Sequence, residues 1–345
     1  MDHLPKTFKS AWIEKKGDPI KIIDREMPKS LAPHEVLIKV EACGICASDH
    51  MLVDGVFPFV KLPGCPGHEV IGKVAATGSE ANEYLKVGTR VGAGWTGSCC
   101  YQCDPCRAGH FVLCEKGSIN GITRDGGWAE YMVATDNALA LVPEGLDSAE
   151  AAPLMCAGVT TFNSMRNVTT CRPGDLVAIQ GIGGLGHLAV QFARAMGFRV
   201  AAISTSPSKK DLALKLGAHH YIDASAEKPE VALQKLGGAK MIVATAPHAS
   251  AIEPLLSALA YDGTLLVLGA SDPLKMDVVP MLMKRLTLRG WPSGTGFDSQ
   301  QTLEFSALTG IKSTVERYKL EDVVTGYQRT MTNKAVFRSV IVFDS

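Results

Sequence analysis

Two textures of apolar residues divide the chain. Through the first 150 positions, short β-branched runs alternate with polar residues and are broken by frequent Gly and Pro. VLIKVEAC (36–43), EVIGKVAATG (69–78) and AEYMVA (129–134) are typical. Alternation with turn residues between predicts a twisted, mainly antiparallel β domain. From about residue 154 the apolar runs become continuous. LVAIQG (176–181), RVAAIS (199–204), MIVATA (241–246) and TLLVLG (264–269) alternate with helical stretches at 187–197, 210–217 and 251–263. That rhythm predicts an α/β architecture, a doubly wound parallel sheet with crossover helices. Gly197, Gly217 and Gly263 stand where each helix would close on a left-handed residue. After about 288 the rhythm breaks, and ERYKLEDVVTGYQRTMTNKAVFRSVIVF reads as helix then strand returning to the first domain. The expected division is 1–154, 155–288 and a return segment, 289–345.

Composition narrows the function. At 345 residues and 46% hydrophobic, the chain exceeds what one core fills. Lys plus Arg equals Asp plus Glu at 35 each, so charge gives no case for a nucleic acid or membrane partner. No run reaches 18 apolar residues, and the N-terminus lacks a cleavable leader pattern, so a cytoplasmic protein is expected. Ten cysteines in a reducing compartment suggest metal sites.

Four of those cysteines, Cys100, Cys103, Cys106 and Cys114, lie in one lobe at about 95–115, spaced C-x2-C-x2-C-x7-C. Such a cluster lets four thiolates converge on one tetrahedral ion, and zinc in a structural role fits it best. Sulfur count alone also permits an iron–sulfur site, though no second ferredoxin-type run is present.

Gly181, Gly183 and Gly186, with Ile182, Gly184 and Leu185 between them, form G-x-G-x-x-G after an apolar strand and before an amphipathic stretch. This is the context of a dinucleotide loop, with the pyrophosphate at the helix N-terminus. The second strand ends in Ser204, Thr205 and Ser206, followed by Lys209 and Lys210, and offers no acid for a ribose 2′-hydroxyl. Hydroxyls with a cation suit a 2′-phosphate, so NADP(H) is expected over NAD(H). The same run could also cap the next helix.

Cys46, His68 and Cys156 make a two-sulfur, one-nitrogen set. Three protein ligands leave a fourth corner open, as catalytic zinc requires. With these motifs in order (CGICASD, GHE, the four-cysteine lobe, DGGWAEY, PLMCAGVTT, GIGGLG), the chain resembles the zinc-dependent medium-chain alcohol dehydrogenase family over its whole length. It is most similar to the NADP(H)-using cinnamyl-alcohol-dehydrogenase-like and microbial aldehyde-reductase branch.

The resemblance implies a GroES-like catalytic domain beside a Rossmann domain, and two zinc ions per chain, one catalytic and one structural. It implies that Cys46, His68 and Cys156 hold the catalytic ion and that Glu69 approaches it during ligand exchange. Asp49 would fix His68, Ser48 would pass the substrate proton, and Thr160 would line the nicotinamide pocket. Many members carry a relay histidine where this chain has Met51; His50 lies one position earlier, rotated by about 100° along a helix. Phe57, Trp95, Met155 and Trp291 are candidate pocket residues, suited to aromatic or medium-length aldehydes. The expected activity is hydride transfer between NADP(H) and a primary alcohol/aldehyde pair, in a homodimer or tetramer. A reductase of conjugated C=C bonds and a non-catalytic redox sensor are the competing readings. Cys43, Cys65, Cys99 and Cys171 are expected to be packing residues.

Overall fold

The computed structural model describes residues 4–55, 57–269 and 272–344. The chain divides into two units, Met1–Val159 with Ser293–Ser345, and Thr160–Pro292.

In the first unit, the alternating run at 36–43 becomes the eleven-residue strand Glu35–Ile45, centre of a seven-stranded sheet. It pairs antiparallel with Val70–Thr77, Tyr131–Thr135 and Arg338–Val342. Its inward residues join Val70, Val91, Trp128 and Ile341 in one core. Arg338–Val342, near the end of the chain, thus adds a strand to the first unit's sheet. Register sets Ser339 opposite Ile45, so Arg338 arrives level with Cys46. A separate two-stranded hairpin, Thr7–Trp12 with Lys21–Glu26, completes the features that matter for the site.

The second unit is a six-stranded parallel sheet. Its spatial order is His220–Asp223, Arg199–Ser204, Leu176–Gln180, Ala239–Ala244, Leu259–Val267 and Thr287–Gly290. The order reverses beside the first strand, the doubly wound arrangement whose switch point lies at that strand's carboxyl end. Gly197 and Gly217 take positive φ (84° and 110°) at their helix ends.

The third expected helix is a correction. Helix Ala249–Ile252 tightens into a 3-10 turn, Glu253–Ala258, and Leu259 already begins the strand. Gly263 lies inside that strand, and the left-handed residue is Asp262, at φ 53°. Pairing of Leu259 with Ala239, before a bulge at 260–263, wins over continued helix. No helix among the described residues is long and apolar enough to cross a membrane.

Candidate active site

The central strand of the first unit runs straight into buried Cys46, which opens the 3-10 turn Ala47–Asp49. Asp49 is wholly buried and turns back: its Oδ2 accepts the Cys46 N–H at 2.8 Å. It makes no side-chain cap on the following helix, His50–Val53. His68 and Glu69 lead into Val70–Thr77, after Gly67 at φ 107°, a conformation that side chains rarely adopt. Cys156 ends the 3-10 turn Ala152–Met155.

These elements bring one ligand atom each from Cys46, His68, Glu69 and Cys156 within 4.8 Å of one another. His68 Nδ1 sits 2.9 Å from Asp49 Oδ1, a close ionic contact without the alignment of a good hydrogen bond. Its Nε2 is buried with no partner, as is Glu69 Oε2. Glu69 Oε2 occupies the space that a Cβ on Gly44 would fill, so a side chain at 44 would displace this carboxylate. The other Glu69 oxygen pairs with the buried Arg338 guanidinium.

Burial raises the Glu69 carboxyl to about 7, against the pull of Arg338. A hydrogen bond from Cys156 holds the Cys46 thiol well below its ordinary range, helped by His68, and Cys156 is raised in turn. Burial pushes His68 down, but the charges of Asp49 and Cys46 outweigh it, and the net shift is well upward. Orphaned buried donors and acceptors are rare. Two sulfurs with a buried imidazole nitrogen and carboxylate oxygen, the last two without a hydrogen-bond partner, suit a divalent ion of zinc's softness.

The second cluster is local. Cys100, Cys103, Cys106 and Cys114 converge within 4.8 Å, with Cys106 on the short helix Asp104–Arg107. The N–H groups of Gln102 and Cys103 point at Cys100 Sγ (3.5 and 3.4 Å) and draw its thiol down to about 6. Burial, then Cys114 and Cys103, push Cys106 up to about 12.

In the second unit, Gly181 takes φ 87° after Leu176–Gln180, and helix Gly186–Ala195 follows. A Cβ on Gly186 would strike the Gly181 carbonyl, whereas Gly183 faces open space. Lys209 Nζ reaches back to the Ile182 carbonyl at 2.8 Å. Ser204 is buried, Thr205 is exposed, and Ser206 caps the turn Pro207–Lys209.

Comparison with known proteins places this architecture. Residues 32–144 match the alcohol dehydrogenase GroES-like domain, and residues 184–308 match the zinc-binding dehydrogenase domain. The chain is 42% identical to alcohol dehydrogenase notN of Aspergillus sp. (strain MF297-2) over 99% of each chain. The chain belongs to the zinc-type medium-chain alcohol dehydrogenase family. It is also 42% identical to alcohol dehydrogenase patD of Penicillium expansum, over 98% of each chain. Among solved structures, a cinnamyl alcohol dehydrogenase of Sorghum bicolor matches with TM-score 0.87 and 30% identity, over 98% of each chain. The alcohol dehydrogenase fold is thus GroES-like β plus Rossmann α/β, as the resemblance implied.

Within this dehydrogenase, the sequence-derived residues fare unequally. Trp95 packs its ring edge-on to His68, centroids 5.0 Å apart. Ser48 is half-buried beside Cys46, and Thr160 is buried on helix Ala157–Arg166. Phe57 stacks on Phe59 and touches His50. Met155 is a correction: it is fully buried against Gly92 and serves as core rather than pocket wall. Trp291 belongs to the second unit, with Arg289 over its ring. His50 Nδ1 is 2.9 Å from the Ala47 carbonyl, engaged with its own turn. Cys43 and Cys65 are fully buried, while Cys99 and Cys171 are half-buried. Sequence reasoning missed Arg338. Its signal was a lone arginine inside an apolar strand, FRSVIVF, which demands a buried partner.

Proposed function

We propose that the chain is a zinc-dependent, NADP(H)-linked alcohol dehydrogenase or aldehyde reductase acting on primary alcohol/aldehyde pairs, aromatic or of medium length. The observation that carries this reading is the convergence of Cys46, His68, Glu69 and Cys156 around a buried imidazole Nε2 with no partner. Cys46, His68 and Cys156 would hold the catalytic ion, and Cys100, Cys103, Cys106 and Cys114 the structural one. When bound, zinc supplies a Lewis acid for the substrate oxygen and NADP(H) supplies the hydride chemistry.

The rest falls to the chain's own side chains. The carboxylate of Asp49 beside Nδ1 orients His68 and leaves Nε2 for the ion. Glu69 waits within reach for ligand exchange, and Arg338 balances its charge. Ser48 would accept the alcohol proton while handing its own hydroxyl proton on to solvent water, with the reverse transfer in the reduction direction. Trp95 and Phe57 give apolar surface for the substrate. Met51 offers no onward relay, and His50 is turned to its own backbone.

The cofactor preference rests on the hydroxyl run at Ser204, Thr205 and Ser206, with Lys209 beside the glycine loop. Asp223 stands opposite Ser204 on the next strand, but Ser225 hydrogen-bonds its carboxylate (2.6 and 2.9 Å). Gly181, Ile182, Gly183, Gly184, Leu185 and Gly186 would cradle the pyrophosphate, and Thr160 would line the nicotinamide pocket. A homodimer is supported by the exposed edge strand Thr287–Gly290 and by exposed Leu282 and Met283. A cytoplasmic location fits the same reading.

Initial rates with aromatic and aliphatic aldehydes test it. NADPH should outperform NADH, and Ser204→Asp should move the preference toward NADH. Reduction of an enal at carbon 3 instead of its carbonyl would favour conjugated-bond reduction. Absence of turnover with every aldehyde despite NADPH binding would favour the sensor.

A further inference from the structure

His68 is held from behind by the loop that opens the DGGWAEY motif, none of whose residues is among the metal or cofactor ligands. Gly126 N–H donates to the Cys65 carbonyl (2.7 Å), Gly127 N–H to Gly67 (3.0 Å), and Trp128 N–H to Pro66 (3.0 Å). A Cβ on Gly126 would overlap the Pro66 and Gly67 carbonyls, so the two backbones are in direct contact. This strap of hydrogen bonds fixes the chain that delivers His68.

The strap has its own anchor. Asp125 Oδ1 accepts the Cys65 N–H at 3.3 Å, and its Oδ2 takes a 2.7 Å ion pair from Arg25. Arg25 comes from the N-terminal hairpin, outside every motif read from the sequence. Its guanidinium lies over the Trp12 ring (4.4 Å) and near the Phe8 ring (5.6 Å). The pair is about one-quarter to one-third exposed (27% and 32%), so water screens it only in part. A guanidinium stacked on an aromatic face loses orientational freedom, which makes its grip on Asp125 directional.

We propose that Arg25 is a positioning residue for His68, acting through Asp125 and the 65–67 backbone. The hairpin thereby sets how firmly the catalytic metal site holds its ion. This rests on the reading of Cys46, His68 and Cys156 as zinc ligands. Partners behind a ligating histidine commonly change metal affinity about 10- to 100-fold. A partner at this remove should sit at the lower end, about 10-fold.

The test follows zinc loss from the holoenzyme to a chelator with a chromogenic indicator, for wild type, Arg25→Gln, Arg25→Lys and Asp125→Asn. Cys46→Ser marks which kinetic phase belongs to the catalytic site, since it should delete that phase alone. Arg25→Gln and Asp125→Asn should each speed the catalytic phase about 10-fold. They should leave the four-cysteine phase unchanged, with Arg25→Lys in between. Wild-type rates in Arg25→Gln would overturn the proposal. So would equal acceleration of both phases, which marks general destabilisation. A Cys46→Ser variant that keeps both phases would instead sink the ligand assignment beneath it.

Discussion

The two cysteine clusters are built on opposite plans. Cys100, Cys103, Cys106 and Cys114 come from one fifteen-residue stretch, partly open to solvent, and backbone N–H groups tune Cys100. Cys46, His68, Glu69 and Cys156 come from three separate parts of the first unit, and only Cys156 is not fully sealed. The first cluster needs its own loop and little else. The second needs a sheet register to bring Arg338, a buried Asp49 set against His68, and glycine at 44 to make room for Glu69. A local cluster gains stability by folding around its ion; a convergent one spends stability to keep reactive groups unsatisfied.

The largest expected break comes from Cys46→Ser. Losing the Lewis acid removes several kcal/mol of transition-state stabilisation, so kcat/KM with an aldehyde should fall by roughly 1,000-fold or more. Zinc content should drop by one ion per chain while the lobe keeps its own. Next is Arg338→Met. It strands a buried carboxylate and should cost about 3–5 kcal/mol in denaturant unfolding. The double variant Glu69→Gln/Arg338→Met should recover most of that loss. No recovery would mean that Arg338 acts by something other than pairing.

The smallest effect should come from a similar pair on the surface. Arg329 holds Glu316 through two hydrogen bonds (2.8 and 2.7 Å) and lowers its carboxyl from 4.5 to about 2. A depressed folded value stabilises above the unfolded one. That contribution is therefore present above pH 4.5 and fades as pH falls through about 2. Solvent screens the pair, so Glu316→Gln should cost far less than Arg338→Met. Equal losses would erase the distinction between buried and exposed ion pairs.

The same contrast explains what the sequence disclosed. The lobe was legible because its spacing is its geometry, and the glycine loop because the strand and helix around it are local. Cys46, His68 and Cys156 could be named by type, but their meeting depends on strand pairing. Arg338 was hidden because its partner lies 269 positions away. Arg25 was hidden likewise, acting across 100 positions on Asp125. Gly263 misled because a glycine after an apolar helical stretch resembles a cap, whereas pairing of Leu259 with Ala239 had already turned the chain into strand. Side-chain type makes Met155 a pocket candidate, and only its packing against Gly92 reveals it as core.

The direct measurement is anomalous diffraction at the zinc edge from crystals of the purified protein. The account predicts two peaks per chain, one inside the four-cysteine lobe. The other should be bonded to Cys46 Sγ, His68 Nε2 and Cys156 Sγ, with its fourth position held by solvent or substrate. An absent second peak, or a fourth corner permanently filled by Glu69, would contradict it.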